Sequence, residues 1–302
     1  MTVRLRELLL GSFPELRYEP TPKRIRATVG DTTVVDSDRA ILVWEPRWVV
    51  PYYAVPAEDV RADLLLPAGG GAPDTGLELV RLAHQGVDGG ASIVRPGPGA
   101  FTSHTAPGTE LSLHFTGGER ERAGYRLDDP ALTGYVGLDF DAFDAWWEED
   151  EQVVAHPRDP FHRIDVRRSS RRVRVELDGL VLADTCQPRL LFETHLPTRF
   201  YLPLEDVDLG QLRPSLTRTW CAYKGEASYW ARDPGSADSG SAGPGTEPVD
   251  LAWSYPKPLP EAAEIAGMIA FFDERVDIEV DGEPQERPVT PWSPPAAPPS
   301  PN

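Results

Sequence analysis

Residues 171–207 read RRVRVELDGLVLADTCQPRLLFETHLPTRFYLPLEDV, and residues 23–60 read KRIRATVGDTTVVDSDRAILVWEPRWVVPYYAVPAEDV. The two stretches follow one plan. Each opens with a basic alternating strand and then turns, at Asp178-Gly179 in one and Gly30-Asp31 in the other. Each continues into a β-branched strand closing on aspartate, Asp184 or Asp36. An apolar strand follows, ending in an aromatic and a glutamate, Phe192-Glu193 or Trp44-Glu45. Both finish on aromatics, a proline and Glu-Asp-Val. The offset is about 148 residues with a one-residue slip, so the chain carries one domain twice.

The local pattern is β in both. Val173, Val175 and Leu177 alternate with Arg172, Arg174 and Glu176, as on a half-buried strand. Asp178-Gly179 suits a tight hairpin turn, because both residues tolerate positive φ. Val181 to Ala183 returns, and 190–192 with 199–202 make a further pair. A helix is expected over 260–272, PEAAEIAGMIAFF, with proline at its start and apolar residues at helical spacing. Residues 275–283 read as a final strand and turn. These features divide the chain into a first, diverged copy at 1–155, a joining segment at 156–170, a second copy at 171–283 and a proline-rich, disordered tail at 284–302. The Gly/Ser/Pro-rich 234–248 is a flexible loop inside the second copy.

Composition removes several functions. The 302-residue chain has a net charge of -18, which opposes phosphate backbones and anionic lipid surfaces, so neither nucleic acid nor membrane is an expected partner. No apolar run nears the ~20 residues that cross a bilayer. The stretch Leu8 to Leu10 is too short for a signal-peptide core, and a cytoplasmic location is expected. Cys186 and Cys221 are the two cysteines, too few and too far apart for a disulfide framework or a thiolate zinc cluster. No metal and no cofactor is expected. Only Lys23, Lys224 and Lys257 are lysines among 30 basic residues. A lysine kept where arginine is the rule suggests that an ammonium is wanted there.

Three stretches carry a resemblance: LLFETHLPTRFYLPLEDV at 190–207, TRTWCAYKGEASYW at 217–230 and LAWSYPKPLPEAAEIAGMIAFFDERVDIEVDGE at 251–283. They closely resemble the domain-of-unknown-function family 427. The first half is similar to a second, diverged copy, and FDAWWEEDEQVVAHPRDPFHRIDVRRSSRRVRVELDG at 143–179 resembles the tandem version of the family. The resemblance implies a mainly β fold: two tandem β-tent-like domains of antiparallel sheet, each with one or two short helices and a pocket between sheets. Many β-tent relatives hold zinc with four cysteines, which this chain does not possess. It also implies that the tandem copies replace a dimer, giving a monomer that acts as a pseudo-dimer. A nucleotidyltransferase-like name is sometimes attached to the family. No glycine-rich phosphate loop or closely spaced aspartate pair supports it here.

The densest chemistry lies in 217–230, which places Cys221, Lys224, Glu226 and Tyr229 within nine residues. Gly225 indicates a bend or a close backbone approach, from which Lys224 projects either into a pocket or to the surface. Glu193 ends an apolar strand and has a counterpart in Glu45, so it serves either a site or a backbone-stabilising hydrogen bond. Lys224, Glu193 and Cys221 are the candidate catalytic residues. Lysine would act as electrostatic stabiliser or Schiff-base former, glutamate as acid or base, and cysteine as nucleophile if a base such as His195 lies near. Otherwise Cys221 is a buried, inert cysteine. Tyr201, Tyr229, Trp253, Tyr255 and Glu226 are candidate ligand-binding residues; the aromatics are core or the walls of a small-molecule site. The series His156, Asp159, His162, Asp165 resembles a metal set, but Pro157 and Pro160 forbid the helix that would stack it.

Two functions are therefore expected to compete. One is a small-molecule pocket, binding or catalytic, in the second copy. The other is a non-catalytic binding or scaffolding module using acidic 141–151 and the tail. Setting His104 beside Cys221 and Pro107 beside Lys224 deprives the first copy of the lysine, so the working site is expected in the second copy alone.

Overall fold

The computed structural model describes residues 2–66, 79–82, 91–94, 97, 99–232 and 249–293. The loop expected at 234–248 lies outside them, as does the tail beyond Ser293. Two compact units meet in sequence at Pro160 and Phe161.

Each unit contains a seven-stranded and a four-stranded antiparallel sheet, and the strand order is the same in both. In the first unit the large sheet runs, from edge to edge, Arg17–Pro20, Ile41–Trp44, Tyr52–Pro56, Tyr135–Leu138, Gly118–Leu127, Gly108–Phe115 and Asp63–Leu65. In the second it runs Ile164–Arg168, Arg189–Glu193, Arg199–Leu202, Ile269–Phe271, Asp250–Ser254, Gly225–Arg232 and Leu212–Cys221. The small sheets agree as closely: Ile25–Val29 pairs with Thr32–Ser37, and Val173–Leu177 with Leu180–Thr185. Both pairs carry a register shift at the same place, Ala27/Thr28 and Val175/Glu176. The protein is thus a tandem repeat of one mainly β domain. Asp178 and Gly179 both have positive φ, the backbone that a two-residue hairpin turn demands.

Pleating gives each large sheet two faces. In the second unit Leu202, Ala252, Ile269 and Phe271 pack with Val173, Val175 and Ile278 of the small sheet. The alternate residues Leu191, Tyr201, Trp253, Ala270 and Phe272 form a separate cluster on the opposite face, with Val166, Tyr255, Ala262 and Ile265. The first unit repeats this division: Tyr53 and Val55 face the small sheet, while Tyr52 and Ala54 face away with Phe101 and Tyr125.

Three expectations are revised. The helix read over 260–272 is a short 3-10 helix, Pro260–Ile265, after which Gly267 adopts φ 69° and Ile269–Phe271 enters the middle of the large sheet. Its apolar residues suit a strand buried on both faces as well as a helix, and sheet pairing decides. The joining segment 156–170 contains Ile164–Arg168, an edge strand of the second large sheet paired with Arg189–Glu193. The tail is ordered through Ser293: Thr290 is buried, and Arg275 donates to the Trp292 carbonyl at 3.3 Å. Among the described residues, no helix is long and apolar enough to cross a membrane.

Candidate functional site

Glu193 ends its strand on the same face as Leu191, away from the small sheet. Lys224 reaches it from the turn between Leu212–Cys221 and Gly225–Arg232. That turn is fixed from outside. Gly225 has φ 93°, and a Cβ there would meet the Lys257 carbonyl at 3.3 Å. Leu259 donates its N–H to the Lys224 carbonyl at 3.1 Å. The close approach anticipated from Gly225 therefore exists, and it directs the lysine inward.

The ammonium donates to both Glu193 oxygens at 2.6 Å, and both side chains are under a tenth exposed. His162 Nε2 lies 3.1 Å from Glu193 Oε1, and its ring stacks on Tyr223 at 4.3 Å between centroids. Burial by itself would raise the Glu193 carboxyl. The Lys224 charge and the His162 hydrogen bond outweigh it and hold the group down at about 2. Burial opposes the charge on Lys224 too, yet Glu193 keeps the ammonium above the ordinary lysine range. A Schiff-base lysine needs the opposite shift, so Lys224 is here a fixed positive charge.

The remaining predicted residues divide. Tyr201 and Trp253 join at the centre's edge, where Trp253 Nε1 donates to Tyr201 Oη at 3.0 Å. Tyr255 is buried in the same cluster. Burial, chiefly, raises both tyrosines, and each feels the Glu193 charge. Tyr229 packs at the cluster's margin with its hydroxyl 2.7 Å from Thr219 Oγ1. Glu226 is exposed on the other face of its strand from Ala227. Cys221 is half-buried against the cluster. The imidazole brought to Glu193 is His162, whereas His195 lies in the loop after that strand with φ 65°. Asp165 pairs with Arg163 and Arg167. Among the described residues no three His, Cys, Asp or Glu side chains are grouped to hold a metal.

Local sequence offers no signal that pairs His162 with Glu193, 31 residues away. The histidine's place follows from the pairing of Ile164 with Glu193, which carries the chain two residues upstream of that strand's start past the carboxylate.

The first copy has a different solution at the same position. Glu45 is fully buried and accepts from Tyr52 Oη at 3.1 Å, His104 Nδ1 at 2.6 Å, and the N–H groups of Thr105 and Ala106 at 2.6 and 2.9 Å. Sheet register corrects the pairing of Lys224 with Pro107. Tyr125 stands opposite Gly137 and Glu110, as Trp253 does opposite Ala270 and Tyr229. Counting five places back from Glu110 and Tyr229 pairs Thr105 with Lys224. Likewise Val43 faces Tyr52 where Leu191 faces Arg199. Neutral Thr105 and Tyr52 thus stand where the second copy has Lys224, which binds Glu193, and Arg199, which binds Glu274 instead.

The family model for the domain of unknown function 427 matches residues 17–72 and 165–282, one segment in each unit. The chain belongs to this family. Both family segments contain the buried glutamate, Glu45 in one and Glu193 in the other. No functionally curated protein matches the chain.

Proposed function

We propose that the second copy binds a small anionic molecule at the Glu193–Lys224–His162 centre, and that the first copy is structural. The observation that carries this reading is a surplus of hydrogen-bond donors. An ammonium has three protons, and Lys224 directs its contacts to the Glu193 oxygens alone. The Tyr201 hydroxyl accepts from Trp253, and among the described residues nothing accepts its own proton; the Tyr255 hydroxyl makes no hydrogen bond there. A carboxylate or other oxyanion would satisfy all three, with Trp253 and Phe272, 4.6 Å apart between centroids, as the apolar wall. Glu45, by contrast, already accepts from four donors.

A buried ion pair is weak evidence for stability, since apolar replacement of both partners is often neutral. Its presence here favours a use beyond folding. In this reading the chain works as a monomer, its two copies standing where two single-domain subunits would. The test is a thermal-shift screen of small organic anions against the native chain and the double variant Glu193→Met/Lys224→Met. A ligand raises the melting temperature of the native chain only, because ligands stabilise the state they bind. A panel that shifts neither protein, or both equally, overturns the reading.

A further inference from the structure

A second buried charged cluster lies on the same sheet face and takes no part in the Glu193 centre. Arg199, two residues before Tyr201 on its strand, donates to Glu274 from both terminal nitrogens at 2.9 and 2.6 Å. Its guanidinium sits 5.5 Å from the Trp253 ring and 5.9 Å from the Trp292 ring. Asp273 Oδ1 is 3.4 Å from Arg199 Nη1 but has no hydrogen-bond partner. The segment that packs on Arg199 and Glu274 is 288–293, which lies beyond the family match.

That segment is held by polar contacts. Thr290 Oγ1 donates to Glu274, and the Trp292 and Thr290 amides are tied within the segment by Thr290 Oγ1 and Ser293 Oγ. Arg275 grips the Trp292 carbonyl. Val289 and Trp292 remain 44 and 40% exposed. Pro291 is buried and Trp292 partly so, while the polar ties of the segment run to the Arg199–Glu274 pair and to Arg275.

We propose that residues 288–293 form a latch over Arg199, Asp273 and Glu274 that opens when Asp273 loses its proton. The charge count gives the direction. With Asp273 neutral, Arg199 and Glu274 cancel, and the covered cluster is neutral. Ionised Asp273 leaves one net negative charge in the cluster, and its nearest donor, Arg199 Nη1 at 3.4 Å, is already engaged by Glu274. A buried, incompletely compensated carboxylate is relieved by water, and water enters when the cover lifts. The other groups facing the cluster do not cancel this charge. Arg275 is occupied by the Asp250 and Trp292 carbonyls, and Tyr201 and Tyr229 are raised by burial and stay neutral. Asp250 adds a further carboxylate beside Arg275. Burial, the largest influence, raises Asp273 to about 7, with Glu274 adding to it against the pull of Arg199. The latch is closed in mild acid and opens as the pH rises through neutrality. The latch stands whether or not the Glu193 centre takes a ligand.

The experiment uses the full chain. Chymotrypsin cleaves after Trp292, and the rate of cleavage is measured at pH 6 and pH 8.5 by mass spectrometry. It is normalised to a free peptide with the sequence of 286–299 cleaved in the same tube. The native chain is expected to show at least a tenfold normalised rise between the two pH values. Asp273→Asn is expected to stay slow at both, and Thr290→Val to be cut faster than the native chain at pH 6. A native rate that does not rise overturns the proposal without reference to any variant. So does an equal rise in folded Asp273→Asn.

Discussion

Replacing Lys224 with methionine removes the charge beside Glu193 and keeps most of the stem's volume. The loss can be worked from the carboxylate. Glu193 lies at about 2 in the folded chain rather than near 4.5, and at about 1.4 kcal/mol per unit this represents about 3 kcal/mol. Breaking a buried pair from one side costs about 3–5 kcal/mol by direct analogy, so the two routes agree. For a unit of this size the melting temperature should fall by roughly 6–12 °C. The sign with pH is specific. The folded-state value is depressed, so the pair's stabilisation is complete above about pH 4.5 and is lost as the pH falls toward 2. In the variant, burial acts without the ammonium and the carboxyl rises, so acid relieves it. The deficit should be largest near pH 7.5 and should shrink by pH 4, measured by thermal unfolding in parallel buffers. Glu193→Met/Lys224→Met should recover most of the loss, because no unpaired charge remains. A deficit equal at both pH values, or a double variant as weak as Lys224→Met, would refute the reasoning.

The remaining predictions concern other parts of the two units. Asp273→Asn should stabilise the chain at pH 8 by up to about 4 kcal/mol, because the raised group favours folding only while protonated. That gain should vanish below pH 4, and urea titrations at the two pH values check it. Glu45→Ala removes the acceptor of four donors, two of them in fully buried hydrogen bonds, and should cost at least about 3 kcal/mol in the same assay. Gly137→Ala places a methyl group against the buried Tyr52 ring and should cost about 1–3 kcal/mol by overpacking; Gly137→Ala/Tyr52→Phe should not recover it, since the ring remains.

The Glu193–Lys224 pairing shows what the sequence disclosed about the site. The scarcity of lysine, the glycine after Lys224 and the recurrence of glutamate in both copies pointed to these two residues separately. Their burial and 2.6 Å contacts depend on a turn held by Leu259, a residue 35 places away in the chain. Glu226 lies in the same dense motif and ends on the opposite face, because alternation along a strand separates neighbours that the sequence groups together.

By itself the sequence determined that one β domain occurs twice, since strand alternation and turn chemistry are local and survive divergence. It also set the cysteine count at two, fewer than a three- or four-thiolate zinc site needs. Tertiary structure decided whatever depends on partners distant in the chain. Residues 269–271 are a central strand because two neighbouring strands complete their hydrogen bonds, although the spacing fits a helix equally well. Residues 288–293 are ordered because Glu274 and Arg275 bind them, although their composition resembles a free tail. His162 meets Glu193 because an edge strand begins at Ile164. In each case the deciding energy is a long-range hydrogen bond or ion pair, and no window of local sequence contains both of its ends.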